Sequence, residues 1–207
     1  MNPIETLMQE HTVILKVLDA LDRYVARPDG EWSREELGKF ATFIREFADA
    51  CHHGKEEGIL FEEMVDAGFP GDSGPIAVML RDHVEGRRLV GIIAGASESG
   101  APDQLDAGAV REAARAYTRL LRGHIHKEDD ILYPMAVQHL PENVMKTIEE
   151  RFDRFEAEET GSGRHERLHA LAEELIGGDE DSYEPAHDAS CRACTPANYF
   201  CDYGRRP

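Results

Sequence analysis

His11, His52 and Glu56 return as His83, His124 and Glu128, each 72 positions later (83−11, 124−52, 128−56). The neighbours return with them. Glu10-His11 matches Asp82-His83, and the run 52–61 (His-His-Gly-Lys-Glu-Glu-Gly-Ile-Leu-Phe) matches 124–133 (His-Ile-His-Lys-Glu-Asp-Asp-Ile-Leu-Tyr). Two copies of one helical hairpin, each carrying half of a ligand set, are how a helical bundle builds a two-metal centre. The repeat therefore predicts an all-α chain built as an up-down-up-down four-helix bundle, with extra C-terminal helices and a Cys-rich tail.

Periodicity supports this. Ile4, Leu7, Met8, His11, Ile14, Leu15, Leu18, Leu21 and Val25 step by three and four, one buried face of a first helix opened by Asn2-Pro3. Ser33 and Glu36 form a capping box for a second helix reaching about Asp66. Its stripe is Leu37, Phe40, Ile44, Phe47, Cys51, His52, Glu56, Ile59 and Leu60. A turn over 68–75 leads to a third helix with Ile76, Met79, His83, Val90 and Ile93 inward. Asp106 caps a fourth, with Val110, Ala114, Tyr117, Leu121, His124, Glu128, Ile131 and Met135 inward. The expected organisation is a bundle over 1–157, a short helix over 158–177 and a tail over 178–207.

All six repeated residues fall on apolar stripes. An ionised carboxylate in a bundle core costs several kcal/mol, roughly the effective penalty of burying an ion, unless something positive neutralises it. Two divalent iron or manganese ions bridged by Glu56 and Glu128 meet that need. The i,i+4 spacing sets His52 with Glu56, and His124 with Glu128, on one face one turn apart. On a regular α-helix His53 and Glu57 are turned about 100° away from that face. They are expected to point off the centre, as are His126 and Asp130.

The pattern His…His-x-x-x-Glu…His…His-x-x-x-Glu, with its flanks around His11, His83 and Tyr133-Pro134, resembles the hemerythrin-like (HHE) cation-binding domains over residues 1 to about 157. The resemblance implies a non-haem di-iron centre with His11, His52, Glu56, His83, His124 and Glu128 as ligands. Oxygen-carrying hemerythrins have a second histidine one turn along the third helix. Met79 and Arg87 stand in those places here. The expectation is thus one histidine fewer, more open metal positions, and a site that reacts with or senses oxygen, peroxide or nitric oxide. Tyr117, two turns before His124, is the candidate catalytic residue, donating a hydrogen bond or an electron. Its plainer reading is a core aromatic. An electron-donor protein is an expected partner, and an oxygen or redox sensor, or an iron donor acting through a partner protein, is the alternative.

A formal net charge of −18, from 41 acidic and 23 basic residues, disfavours nucleic acid and anionic membrane as partners. With no apolar run long enough to span a bilayer and no signal-peptide profile, a reducing cytoplasm is the expected location. In the tail, His187, Cys191, Cys194 and Cys201 offer four soft ligands. A zinc site, a redox dithiol and an unstructured tail are the three readings.

Overall fold

The computed structural model describes residues 2–28, 31–98, 106–159 and 161–177, and every regular element among them is helical. Helix α1 is Pro3–Ala26. Helix α2 runs over 34–66, beginning as Arg34–Phe43 and ending as Phe61–Asp66, with π-helical stretches at Ile44–His53 and Glu56–Leu60. Helix α3 is Gly74–Glu98. Helix α4 runs over 107–139 as Ala107–Lys127, a π-helical turn at Glu128–Leu132, and Tyr133–His139. Two further helices come next, α5 at Glu142–Glu159 and α6 at Gly161–Gly177. The tail residues His187, Cys191, Cys194 and Cys201 lie outside the described residues.

The helix starts have local causes. Asn2, Ser33 and Asp106 each accept a hydrogen bond from a backbone N–H two or three residues on, satisfying one of the donors a helix start leaves unpaired. Pro3 fits the first turn because no N–H is needed there.

Helix α4 packs along both α1 and α3, and α3 along the first part of α2, forming a helical bundle. Its interior is divided in three. One apolar cluster joins Leu18, Leu21, Phe40, Phe47, Ile93 and Ala114, with Leu168 and Leu175 of α6 packed on it. A second joins Leu7, Leu60, Met64, Met79 and Leu132, with Ile148 and Phe152 of α5 packed on it. Between them lies a buried polar layer of His11, His52, His53, Glu56, His83, His124 and Glu128.

The π-helical turns shift the register of the residues C-terminal to them. A hydrogen bond from i to i+5 inserts one residue into a turn, so the inward stripe advances by one position. Along α4, Ile131 is 51% exposed, whereas Leu132, Tyr133 and Ala136 are buried. This corrects the α-helical expectation that Ile131 faces inward. Met8, likewise expected inward, is also exposed.

One glycine sets a close approach. A Cβ on Gly54 would lie 2.8 Å from Phe155 Cζ, so a side chain there would force the Phe155 ring, and with it the packing of α5 on α2, to shift. Gly54→Ala should cost about 1–3 kcal/mol through overpacking. It should also speed amide exchange across α5. Unchanged exchange and an unchanged urea midpoint would refute this seating.

Candidate metal centre

Four helices each deliver at least one residue to the polar layer: His11 from α1, His52, His53 and Glu56 from α2, His83 from α3, His124 and Glu128 from α4. The donor atoms fall into two groups, each within 4.8 Å of one another: His11, His52, Glu56 and Glu128, and His53, Glu56, His83 and His124. Glu56 belongs to both. Its Oε2 lies 3.7 Å from His52 Nε2 and 3.5 Å from His83 Nε2. Glu128 also reaches across, with Oε2 3.4 Å from His11 Nε2 and Oε1 3.0 Å from His124 Nε2. All six residues singled out by the repeat are thus brought together.

An outer ring repeats with the same offset. His11 Nδ1 donates to Asp129 at 2.8 Å, and its counterpart His83 Nδ1 donates to Glu57 at 2.6 Å. His52 Nδ1 donates to Glu10 at 2.9 Å, while His124 Nδ1 stands 3.5 Å from Asp82. Lys55 bonds Glu10 and Glu156, Lys127 bonds Asp82, and Arg87 bonds Asp49 and Glu57. A carboxylate on Nδ1 keeps the proton there and turns the Nε2 lone pair inward, the arrangement of metal-binding histidines.

The inner atoms fit metal ions. Nε2 of His11 and His52 are 3.0 Å apart, as are Nε2 of His83 and His124. Two inward lone pairs at that distance repel unless a proton or a cation lies between them. Two ligands about 2.1 Å from one ion and at right angles to each other sit about 3.0 Å apart. Glu56 Oε2 and both Glu128 oxygens are buried with no hydrogen-bond partner, as is His53 Nε2. Buried carboxylate oxygens are seldom left so without an ion.

The same crowding shifts the titrations. Burial opposes charge on His11, but Asp129 and then Glu128 outweigh it and raise its pKa to about 10. Burial likewise opposes charge on His124, and Asp82 and then Glu128 raise it to about 9. Burial resists the Glu56 charge, yet His52 and His83 hold its carboxyl well below the usual range. For His53 burial wins, pushing it down to about 3 and keeping it neutral.

Two residues differ from expectation. His53 does not point away: it is 5% exposed, stacked on His83 with ring centroids 3.8 Å apart, and a member of the second group. Because α2 is π-helical through His53, the wider turn separates neighbouring side chains by less than the α-helical angle, and His52 and His53 both face inward. Five histidines rather than four therefore surround the two groups. Glu57 is the His83 partner, and His126 and Asp130 pair with each other in solvent as expected. Arg87 pairs with Asp49 and Glu57.

Tyr133 is the tyrosine in contact with the ligands. Its hydroxyl donates to Glu56 Oε1 at 2.6 Å, and its ring lies parallel to His11 at 5.5 Å. The signal that could have found it is the repeat itself, which sets Tyr133 against Phe61. Tyr117 is buried and lines a cavity beside His53 and His83. Its hydroxyl is raised in pKa by burial and by the Asp49 charge. Cys51 is buried, as expected of a small apolar side chain, and burial pushes its thiol up to about 11.

Comparison with known proteins bears on the same residues. The hemerythrin HHE cation binding domain family matches residues 2–136. Uncharacterized proteins of Mycobacterium bovis and Mycobacterium tuberculosis are 28% identical over 160 residues, which is 75% of this chain and 60% of theirs. The chain thus spans about three-fifths of the length of these relatives. No solved structure matches it. Among the described residues no helix is long and apolar enough to cross a membrane.

The titrations predict how stability varies with pH in metal-free protein. His11 and His124 have folded pKa values of about 10 and about 9, above an ordinary value of about 6.5. The stability they add is complete below about pH 6.5 and lost as pH rises through those values. Glu56 acts oppositely: its contribution is complete above about pH 4.5 and lost on acidification. Urea midpoints of metal-free protein should therefore fall between about pH 6 and pH 10. Bound metal displaces the imidazolium protons, so loading with metal should flatten that fall. Equal slopes with and without metal would contradict this account.

Proposed function

The chain belongs to the hemerythrin HHE cation-binding family, and we propose that it is a non-haem di-iron protein that binds and reacts with a small oxidant: oxygen, peroxide or nitric oxide. The scaffold is read as an up-down-up-down four-helix bundle of α1 to α4. The observation that carries the reading is the pair of buried His/Glu groups sharing Glu56. His11 and His52 would hold one ion and His53, His83 and His124 the other, with Glu56 and Glu128 placed to be shared between them.

Charge supports bound cations. Five carboxylates stand on the ligand histidines, Asp129, Glu10, Asp49, Glu57 and Asp82. With Glu56 and Glu128 they make seven negative charges. Lys55, Lys127 and Arg87 offset three. Glu156, the second partner of Lys55, brings the remaining excess from four to five negative charges, which bound cations would offset. Manganese shares these ligand preferences, and iron is preferred here on the family's cation binding.

Iron held by these residues would supply the electrons for reaction with a small oxidant. The chain's own residues prepare that chemistry. Nδ1 partners fix the histidine rings, and the two apolar clusters exclude water from both ends of the polar layer. Tyr133 holds Glu56 by one oxygen, which leaves the other for the ions, and it is a proton donor one hydrogen bond from the centre. Tyr117 stands at the adjoining cavity, where it can donate to a small molecule approaching His53 and His83.

Glu56→Ala and Glu128→Ala should each lower the iron content from two ions per chain to one or none, as read by metal analysis. Full content in both would overturn the bridging role. Protein loaded anaerobically with ferrous iron, exposed to oxygen and then degassed separates reaction from reversible binding. Irreversible conversion to a ferric absorption spectrum is the expected result. A visible band that disappears on degassing, with the ferrous state restored, would make the protein a carrier or sensor instead.

A further inference from the structure

The two halves of the repeat differ on one side of the centre. Gly86 stands at the counterpart of Ile14, Val90 at that of Leu18, His53 at that of Ile125 and Arg87 at that of Leu15, all 72 apart. Ile14, Leu18 and Ile125 are large, aliphatic and buried, and they close their side of the polar layer. On the other side the smaller and polar counterparts leave a cavity of about 110 Å³ against His53 and His83, walled by Gly86, Val90, Tyr117 and Leu121. Arg87, 41% exposed, is also part of the wall, its guanidinium bonded to Asp49 at 2.8 Å and Glu57 at 2.7 Å. His53, also on the wall, has a buried Nε2 without a hydrogen-bond partner.

We propose that this cavity is the entry and docking chamber for a small uncharged molecule, the size of a diatomic gas or hydrogen peroxide. Gly86 creates the room and Arg87 forms part of its wall. The assignment rests on the proposed reaction with a small oxidant. Size and polarity set the class. The volume is that of about three to four water molecules. The charged groups on its wall are already paired, Asp49 with Arg87, Asp82 with Lys127 and Arg45 with Glu98, and Val90, Leu121 and the Tyr117 ring are apolar, so an ion would gain little in exchange for its hydration. A Cβ on Gly86 would meet the Tyr117 ring at 3.5 Å, an ordinary contact, so the backbone there accepts a side chain, whose further atoms would occupy the cavity.

Two measurements on the full chain test this. Xenon NMR of zinc-loaded protein should show a saturable shift that Gly86→Leu abolishes. Stopped-flow binding of nitric oxide to the ferrous protein should slow by about tenfold or more in Gly86→Leu and in Val90→Phe, which fills the chamber from another wall. It should quicken in Arg87→Ala. Absence of a saturable xenon site in the wild-type protein would overturn the proposal. Unchanged nitric oxide rates in both filled variants, with iron content intact, would do the same. A xenon site lost in Gly86→Leu, in a wild-type protein inert to nitric oxide, peroxide and oxygen, would overturn the reaction and keep the chamber as a binding site.

Discussion

Two glutamates held at the centre of a helical bundle, each between histidines from both halves of the chain, are the constraint on which the remaining structure depends. Leaving Glu56 and Glu128 ionised between two apolar clusters costs several kcal/mol per charge unless cations compensate them. The outer ring of carboxylates does not relieve that cost; it adds negative charge and fixes the histidines as donors of lone pairs. Folding and cation binding are therefore coupled. Without metal, the imidazoles of His11 and His124 take up protons to do part of what an ion does when present.

Much of this was legible in the chain itself. The 72-residue offset identifies the six central residues, because duplication of a half-site leaves the same residue types at one spacing. The helix starts at Asn2, Ser33 and Asp106 were legible because each cap is a local interaction between neighbours in sequence. The π-helical turns were not. They arise from tertiary demand, the need to bring His52, His53 and Glu56 onto one layer, and no residue type announces an i to i+5 bond. His53 and Ile131 depart from the α-helical expectation for this one reason, since each lies within such a turn.

The departures from internal symmetry are as informative as the symmetry. His53 against Ile125 and Tyr133 against Phe61 make the two His/Glu groups unequal: one has a third histidine, the other a phenol one hydrogen bond away. Where the halves agree, the residues neutralise and orient. Where they differ, they leave a cavity beside His53 and His83 or add a phenol beside Glu56.

Lys55 carries the matter beyond the repeated halves. Its ammonium is fully buried and shared between Glu10, which orients His52, and Glu156 of α5. Its counterpart Lys127 is partly solvated and needs no such third party. The family match ends at residue 136, before α5 begins. A chain trimmed to that boundary would keep every ligand and still leave a lysine without one of its two counter-charges beside the first histidine pair. In this protein the unit of inheritance is shorter than the unit of electrical neutrality.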